Sequence, residues 1–169
     1  MPALDIPCYN TYSPPMAADL RTEIKQSKAF ATLEQEAHLS IERTAAVLGH
    51  AFAESLKPYG ITGTQYNVLR ILRGAGAAGL CRNDVRDRLV AKVPDATRLI
   101  DRLVDAELVT RTRDSDDRRV VTTRIAPAGA ALLAKLDAVV EDVHRRLLGH
   151  MTRDQLKALI ELLAVARQR

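Results

Sequence analysis

The fold is decided by residues 91–126, which read AKVPDATRLIDRLVDAELVTRTRDSDDRRVVTTRIA. Apolar residues recur every three or four positions over 92–106, and this spacing predicts an amphipathic helix with a charged outer face. From Val109 the apolar period changes to two, and the alternation returns over 120–125, so we expect a two-stranded ribbon. Its tip, 114–119, is highly charged and ends in two arginines. A helix that can enter a groove, followed by such a ribbon, suits contact with duplex DNA.

Length and composition limit the class of protein. The chain has 169 residues, enough for one domain with helical extensions and a sizeable core. It contains no apolar run near the roughly 20 residues of a membrane-spanning helix, and its N-terminus lacks a basic region followed by an apolar stretch. We therefore expect a cytoplasmic protein without a membrane partner. Aromatic residues are 4% of the chain, which disfavours recognition of single strands by stacked bases.

The net charge of +4 matters less than its distribution. Residues 1–60 are acidic overall, whereas residues 81–126 contain eleven basic and nine acidic side chains. A protein that binds nucleic acid through charge alone would show a purer basic run. Interspersed aspartates and arginines indicate either a solvated surface or directed contacts.

Helical patterns cover most of the remaining chain. Residues 1–20 contain four prolines and no periodic pattern, so they are predicted to be a tail or strap. Further helices are predicted at about 28–56, 62–73, 82–90 and 127–149, with a last one after residue 152. Thr62 and Thr152 each precede a glutamine by three residues, which is the spacing of a capping box. Pro94 is expected in the first turn of the helix over 92–106.

The glycine-rich segment 74–79 invites comparison with a phosphate-binding loop. It lacks the Lys-Ser/Thr pair that holds phosphates and precedes no apolar strand, so we interpret it as a flexible loop. An enzyme is disfavoured, because the histidines have no nucleophile or metal-ligand spacing beside them. They are scattered over the long helices: His38, His50, His144 and His150. We expect no catalytic residue, metal site or cofactor.

The terminal helical regions carry apolar stripes wide enough to need covering on more than one side. A compact monomer could fold them back onto the central segment. A dimer could instead interleave helices from both chains, which would bury more apolar surface and hold two recognition helices at a fixed separation. We favour the dimer, because a two-fold protein can occupy two half-sites one helical turn apart.

Short motifs in a fixed order connect the chain with a known family. They are Thr62-x-x-Gln65-Tyr66-x-Val68-Leu69, Pro94-Asp95-Ala96-Thr97-Arg98-Leu99-Ile100-Asp101-Arg102-Leu103, Leu108-Val109-Thr110-Arg111, Asp117-Arg118-Arg119-Val120 and Gly129. In order and spacing they resemble the MarR family of winged helix-turn-helix regulators, over nearly all of residues 30–169. Glu107 stands where the family usually has glycine, and a left-handed conformation there would cost about 1 kcal/mol. The segment 124–129 replaces the usual Leu-Thr entry to the next helix.

The resemblance implies a mainly α fold with a small two- to three-stranded β wing. It places a winged helix-turn-helix DNA-binding domain at 61–126, long dimerisation helices at 28–60 and 127–169, and an N-terminal tail or strap at 1–27. It also implies a homodimer that binds a pseudo-palindromic operator in double-stranded DNA. We expect a sequence-specific transcriptional regulator, and specifically a repressor released by a small-molecule ligand.

Candidate DNA-binding residues lie on the helices at 82–90 and 92–106 and on the ribbon. Thr97 and Arg98 are placed to reach base edges or phosphates, and Arg98 suits a bidentate contact with guanine. Arg118 at the ribbon tip suits a narrow minor groove. The full set of candidates is Arg82, Asn83, Arg86, Pro94, Asp95, Thr97, Arg98, Arg102, Arg113, Arg118 and Arg119.

Several candidates have structural alternatives. Asp95 could accept from cytosine or stabilise the helix N-terminus, and Thr97 could bond the backbone as readily as a base. Asp101 and Arg102 could hold the wing through Asp117 or the backbone. The arginines on the strands are interpreted chiefly as solvated residues: Arg111, Arg113 and Arg124.

Two features could carry regulation. Cys8 and Cys81 allow a redox-sensing regulator of the same fold, although a chance tail residue and a buried structural thiol explain them as well. The resemblance also implies a crevice for a small aromatic or phenolic effector between the dimer helices and the winged domain. Residues on elements that line this crevice are His50, Phe52, Tyr59 and Tyr66, and packing explains them equally well. A non-specific nucleoid-type DNA binder is the less favoured alternative.

Overall fold

A mainly α architecture with a small β-sheet emerges from the computed structural model, which describes residues 19–113 and 121–168. The elements in chain order are α1 Leu20–Glu23, α2 Leu33–Leu56, α3 Gly63–Ala75, β1 Leu80–Cys81, α4 Arg82–Arg88, α5 Ala96–Asp105, β2 Val109–Arg113, β3 Val121–Ile125, α6 Pro127–Leu148 and α7 Arg153–Ala166. The predicted fold class is confirmed. Across the described ranges, each helix is too short or too polar to span a bilayer.

The chain divides after Ala46, within α2, into two compact units. The described part of the first unit, 19–46, holds α1 and the beginning of α2. Asp19 caps α1, because its carboxylate accepts a hydrogen bond from the Thr22 amide at 2.8 Å. Arg43 on α2 forms an ion pair of 3.4 Å with Glu23 at the end of α1.

The start of α2 differs from the prediction, since the helix begins at Leu33 rather than near Lys28. The Thr32 hydroxyl accepts from the Gln35 amide at 3.1 Å, and the Gln35 side chain accepts from the Ala31 amide at 2.8 Å. These two bonds satisfy N–H groups that a new helix leaves without partners, and so they fix the first turn. The apolar residues at 29–31 precede this cap in the sequence, and they led the prediction to place the start of the helix too early.

The core of the second unit, 47–168, forms where α3, α4, α5 and α6 meet the sheet. Fully buried apolar side chains of this core are Leu56, Val68, Leu69, Leu72, Val85, Ile100, Leu103, Val109, Leu133 and Leu136. Full burial of one side chain of this kind stabilises a fold by about 1.5–3 kcal/mol. The helical and strand periods of the sequence therefore converge on one apolar centre.

The sheet has three antiparallel strands in the order β1-β3-β2. β2 and β3 pair from Val109 opposite Ile125 to Arg113 opposite Val121. The short strand β1 was missed, and the interpretation of 74–79 as a flexible loop ahead of no apolar strand was wrong. Residues 76–78 form a 3-10 turn, and a Cβ at Gly79 (φ 67°) would lie 2.6 Å from the Thr123 carbonyl oxygen. Glycine is needed there for close approach to β3.

The turn from α5 into β2 takes the left-handed conformation considered for Glu107, whose φ is 57°. The Leu108 amide donates to the Leu103 carbonyl at 2.9 Å, and the Glu107 amide donates to the Val104 carbonyl at 2.8 Å. This pair of bonds ends a helix by the Schellman pattern. The pattern satisfies carbonyls of the last turn and offsets the backbone cost at Glu107.

Pro94 lies outside α5, so its predicted place in the first turn was wrong. The helix begins at Ala96, and Asp95 is the N-cap, whose carboxylate accepts from the Arg98 amide at 2.9 Å. An aspartate that caps a helix takes a non-helical conformation, and Asp95 has φ −133° and ψ 85°. The proline therefore precedes the cap.

Candidate nucleic-acid interface

The helix α5 presents two contrasting faces. Ala96, Ile100 and Leu103 are buried on the side that meets the core. Thr97 and Arg98 are exposed on the other side, and the Arg98 side chain is 82% exposed. Packing fixes the axis of the helix and leaves its polar side chains outside.

The start of α5 is organised by Asp95 and Arg98. The Asp95 carboxylate caps the helix, and its second oxygen lies 3.2 Å from the Arg98 Nε. Of the two roles considered for Asp95, the structure supports the one at the helix N-terminus. The ion pair is too exposed to hold Arg98 strongly, so the guanidinium can exchange this partner for another anion.

A hydrogen bond between α4 and α5 orients Thr97. The Arg82 Nη1 donates to the Thr97 hydroxyl oxygen at 3.2 Å, so Thr97 is bound by a side chain rather than by the backbone. Asn83 and Arg86 are exposed on α4, and Arg86 pairs with its neighbour Asp87 at 3.0 Å. Arg82 and Asn83 therefore lie beside Thr97 on the polar face of α5.

Two strand arginines have intramolecular partners in addition to their contact with solvent. Arg111 on β2 forms a short ion pair with Asp101 of α5. The Arg124 Nε on β3 donates to the Ala77 carbonyl at 2.8 Å and holds the 3-10 turn. Both partners lie on other elements, on α5 and in the 3-10 turn, so the alternating pattern of the strands alone does not reveal them. Arg113 is exposed at the end of β2.

Some of the remaining predictions for the wing concern described residues, and others concern residues outside the described ranges. Arg102 is exposed on α5, and its neighbour Asp101 binds Arg111. The predicted contact with Asp117 and the roles of the two tip arginines fall at 114–120, outside the described residues. Cys8 lies outside them as well.

A cavity of about 460 Å³ lies between α4, α5 and the sheet. Its lining combines a thiol, two guanidiniums and polar groups: Cys81, Arg82, Asn83, Thr97, Ile100, Arg111, Val121 and Thr123. Cys81 is a free, half-buried cysteine, so the expectation that it is buried was wrong. Cys81 is the last residue of β1 and directly precedes α4, and this position places it in the lining of the cavity.

A second cavity, of about 540 Å³, forms a cleft between α3 and α6. We call it the α3–α6 cleft; its lining residues are Tyr66, Asn67, Arg70, Ile71, Asp137, Val140, Glu141 and His144. Of the four residues predicted to bind an effector, Tyr66 alone lines this cleft. Phe52 packs edge-on against Tyr66 at 5.6 Å and stacks on His144 at 5.9 Å, so it supports the cleft from outside. His50 is exposed, and Tyr59 packs against the core.

Sequence reasoning missed most of the α3–α6 cleft. Its contribution from α6 follows helical spacing, at residues 137, 140, 141 and 144, which share one face. That face mixes acids, an aliphatic residue and a histidine, so a search for apolar stripes passes over it. The signal that could have found it is the polar interruption of an otherwise apolar helix.

The electrostatics of the α3–α6 cleft centre on Asp137. Both Nη atoms of Arg73 donate to its carboxylate at 2.8 Å. These hydrogen bonds hold the pKa of Asp137 below its usual range and raise the pKa of Arg73. Arg70 is engaged less closely, 3.7 Å from Asp137 and 3.4 Å from the Tyr66 hydroxyl. Arg70 therefore keeps more capacity for a bound anion than Arg73 does.

Within the described part of the chain, no three potential metal ligands among His, Cys, Asp and Glu come together. The polar side chains that line the cavity beside α5 include arginines, an amide and hydroxyls, groups that contact phosphates and base edges in complexes with DNA. Together with a three-stranded sheet behind α5, they define a winged helix-turn-helix protein.

Comparison with known proteins gives the family. A model of the MarR family matches residues 61–121. The multiple antibiotic resistance protein MarR of Escherichia coli (strain K12) is 32% identical over 111 residues, which cover 65% of this chain and 76% of that protein. The transcriptional repressor MdtR of Bacillus subtilis (strain 168) is 24% identical over 124 residues, which cover 73% of this chain and 79% of the repressor.

Solved structures agree with this result. A MarR transcription factor from Planctomyces limnophilus is 40% identical, with a TM-score of 0.63, and the match covers 81% of this chain and 99% of that one. A mutant of E. coli MarR complexed with operator DNA is 28% identical, with a TM-score of 0.66, covering 89% and 100%. The chain belongs to the MarR family, whose members are DNA-binding transcriptional regulators and not enzymes.

Proposed function

We propose that the protein is a homodimeric repressor that binds a pseudo-palindromic operator and is released by a small-molecule ligand. The observation that carries this proposal is the exposed polar face of α5, where Thr97 and Arg98 project from a helix whose other face is buried. Such a rigid helix has the geometry that recognition in the major groove needs. Because its target would be operator DNA, we place the protein in the cytoplasm.

Each group near α5 has a proposed role on DNA. Arg98 reads a base edge, and Thr97, oriented by Arg82, lies beside it. Asp95 and Pro94 shape the start of the helix. The proposed phosphate contacts are Arg82, Asn83, Arg86, Arg102 and Arg113, and the proposed minor-groove contacts at the wing tip are Arg118 and Arg119.

The proposed dimer uses the helices over 28–60 and 127–169, which leaves 61–126 for DNA. In the second unit, α7 has no buried residue, and Ile160, Leu162 and Val165 are each more than 60% exposed. In the first unit, Leu33 on α2 is 81% exposed. Exposed apolar residues on long helices favour coverage by another chain.

Two relatives support the proposals that the protein binds an operator and that it represses transcription. E. coli MarR has been seen in complex with operator DNA, and MdtR of B. subtilis is a repressor. We extend both properties to this chain. A dimer that blocks promoter DNA when bound would act as a repressor.

The α3–α6 cleft is the proposed ligand site. Its 540 Å³ suit a small molecule, Arg70 offers a guanidinium, and His144 and Tyr66 offer aromatic surfaces. These groups favour a planar aromatic compound with an acidic group, such as a carboxylate or phenolate. A ligand that prefers a dimer with mis-spaced recognition helices would lower the affinity for DNA.

Fluorescence anisotropy on duplex DNA tests the DNA-binding part. The probes are an inverted repeat from upstream of the coding region and a random duplex of equal length, at several salt concentrations. We expect preference for the inverted repeat by at least about a thousandfold. Arg118→Ala should weaken binding to both duplexes and reduce the salt slope by about one. Equal affinity for the two duplexes would identify a nucleoid-type binder instead.

A redox-sensing regulator is the second candidate, because Cys81 is a free, half-buried cysteine that lines the cavity beside α5 with Arg82 and Arg111. In that case peroxide would abolish operator binding, and the double variant Cys8→Ser/Cys81→Ser would keep it. Unchanged binding of the parent protein after peroxide would exclude this candidate.

A further inference from the structure

Asn67 belongs to two regions of the second unit at once. It lines the α3–α6 cleft, and its side-chain oxygen accepts a hydrogen bond from the Val90 amide at 3.0 Å. Val90 lies in the connection between α4 and α5, residues 89–95. The Asn67 side chain therefore links the wall of the cleft to the segment that precedes α5.

The connection has few other restraints. Leu89 is buried at its beginning, Val93 packs against the core, and Asp95 caps α5 at its end. Val90 itself is 90% exposed, so its side chain contributes little packing. Among the hydrogen bonds of the described residues, the bond from the Val90 amide to Asn67 is the sole one that ties residues 90–94 to a helix.

An asparagine side chain carries an acceptor and a donor that turn together. The Oδ1 atom accepts from Val90, and the Nδ2 group is a donor suited to a carboxylate or phenolate oxygen. Because Oδ1 and Nδ2 are held in one plane, an acceptor that lies off the present direction of Nδ2 can bind it only if the whole amide turns. The bond to Val90 is then lost or weakened.

We propose that Asn67 is a positioning residue that couples the α3–α6 cleft to α5. With the cleft empty, Asn67 holds the connection and keeps α5 in the arrangement that binds DNA. With an acidic ligand in the cleft, the amide turns and the connection loosens. This inference rests on the proposed function, in which α5 binds DNA and the cleft takes the ligand.

The first test needs no ligand. Amide hydrogen exchange at Val90 and operator affinity are measured for the parent protein, Asn67→Leu, Asn67→Asp and Glu141→Gln. Asn67→Leu removes the acceptor, so the Val90 amide should exchange about five- to tenfold faster and operator affinity should fall about fivefold. Asn67→Asp keeps an acceptor oxygen and should restore protection at Val90. Glu141→Gln is the matched control, because Glu141 lines the same cleft but bonds Arg145.

These measurements separate positioning from general stability. Thermal unfolding of Asn67→Leu should stay close to that of the parent protein, while exchange accelerates at Val90 and not in the core of α3. Unchanged exchange at Val90, or acceleration throughout the unit, would overturn the proposal.

The second test fills the cleft covalently. In a Cys8→Ser/Cys81→Ser background, Glu141→Cys is labelled with 5,5′-dithiobis(2-nitrobenzoate), which attaches an aromatic carboxylate by a disulfide bond. Labelling should accelerate exchange at Val90 and weaken operator binding about fivefold, and dithiothreitol should reverse both. In the same background with Asn67→Leu, labelling should have no further effect. Equal loss in both backgrounds, or no effect in either, would overturn the coupling role.

Failure of the coupling and failure of the proposed function remain distinct. If the unlabelled parent protein binds no duplex DNA, the proposed function is wrong, whereas exchange at Val90 still reports on Asn67. If the parent protein binds the operator and the Asn67 variants behave like it, only the coupling is wrong.

Discussion

The helices α5 and α7 lie in the same unit but are built in opposite ways. In α5 the apolar residues are buried or half-buried, and the exposed residues are polar or charged. In α7 no residue is buried, and Ile160, Leu162 and Val165 face solvent. Both helices begin with a side-chain cap, so local helix signals do not distinguish them. The chemistry of the exposed face does: one suits a charged duplex and the other an apolar partner.

The largest effect is expected from Leu103→Ala on the buried face of α5. Leu103 is fully buried, so the substitution removes packing and leaves a cavity. We expect a loss of about 3 kcal/mol in the free energy of unfolding. Urea titration monitored by circular dichroism measures it. A loss below about 1 kcal/mol would mean that the face is less tightly packed than its burial implies.

Ile160→Asp on α7 tests the opposite kind of face. Ile160 is 65% exposed, so a charge there should leave the second unit folded. In the proposed dimer the same charge would be buried, and dissociation should lower operator affinity on the order of 100-fold, because a monomer holds one half-site. Sedimentation velocity and anisotropy give the two readouts. The control is Glu161→Gln, and a monomeric parent protein would contradict the assignment of α7.

Arg98→Ala probes the polar face of α5. The side chain is 82% exposed and pairs only with Asp95 among described residues, so the fold should be unaffected. Losing a bidentate base contact should reduce discrimination between operator and a single-base variant by about tenfold. A selection from random duplexes reads the preferred site, with Lys157→Ala on α7 as the control. An unchanged preferred site would remove Arg98 from base recognition.

The smallest effect is expected from acid, through the bridge between α3 and α6. The Arg73 hydrogen bonds lower the pKa of Asp137 in the folded protein, so their stabilisation is present above the unfolded pKa of about 4. It should be lost as pH falls through the lower, folded pKa. Urea titrations between pH 7 and acid measure this loss, and Asp137→Asn should show a shallower decline. If the free energy of unfolding fell equally steeply with pH in the parent protein and in Asp137→Asn, Asp137 would have no part in the acid response.

Sequence periodicity anticipated much of the fold for a simple reason. Apolar residues at helical or strand spacing mark a face that packs against other elements, so α6 and the β2–β3 ribbon were predicted close to their observed bounds, whereas α5 begins at Ala96 rather than near Lys92. The capping-box spacing at Thr62 and Thr152 was equally reliable, because the bonds that it predicts are local. The start of α2 and the place of Pro94 were wrong where a local cap overrode the apolar period.

Contacts between residues distant in sequence could not be predicted in the same way. Arg124 bonds Ala77, Arg111 bonds Asp101, and Asn67 bonds Val90, each through the packing of separate elements. The α3–α6 cleft has the same origin, since its residues lie on two helices about 70 positions apart.

Residue order thus sets the helices, the strands and the family motifs, because these depend on neighbours within a few positions of the chain. Packing in three dimensions sets the partners of the arginines, the third strand at Leu80–Cys81 and the walls of both cavities. The physical reason is the distance along the chain over which each interaction acts. Backbone hydrogen bonding and apolar periodicity act locally, whereas a side-chain contact depends on the relative placement of whole elements, and a short pattern carries no record of that placement.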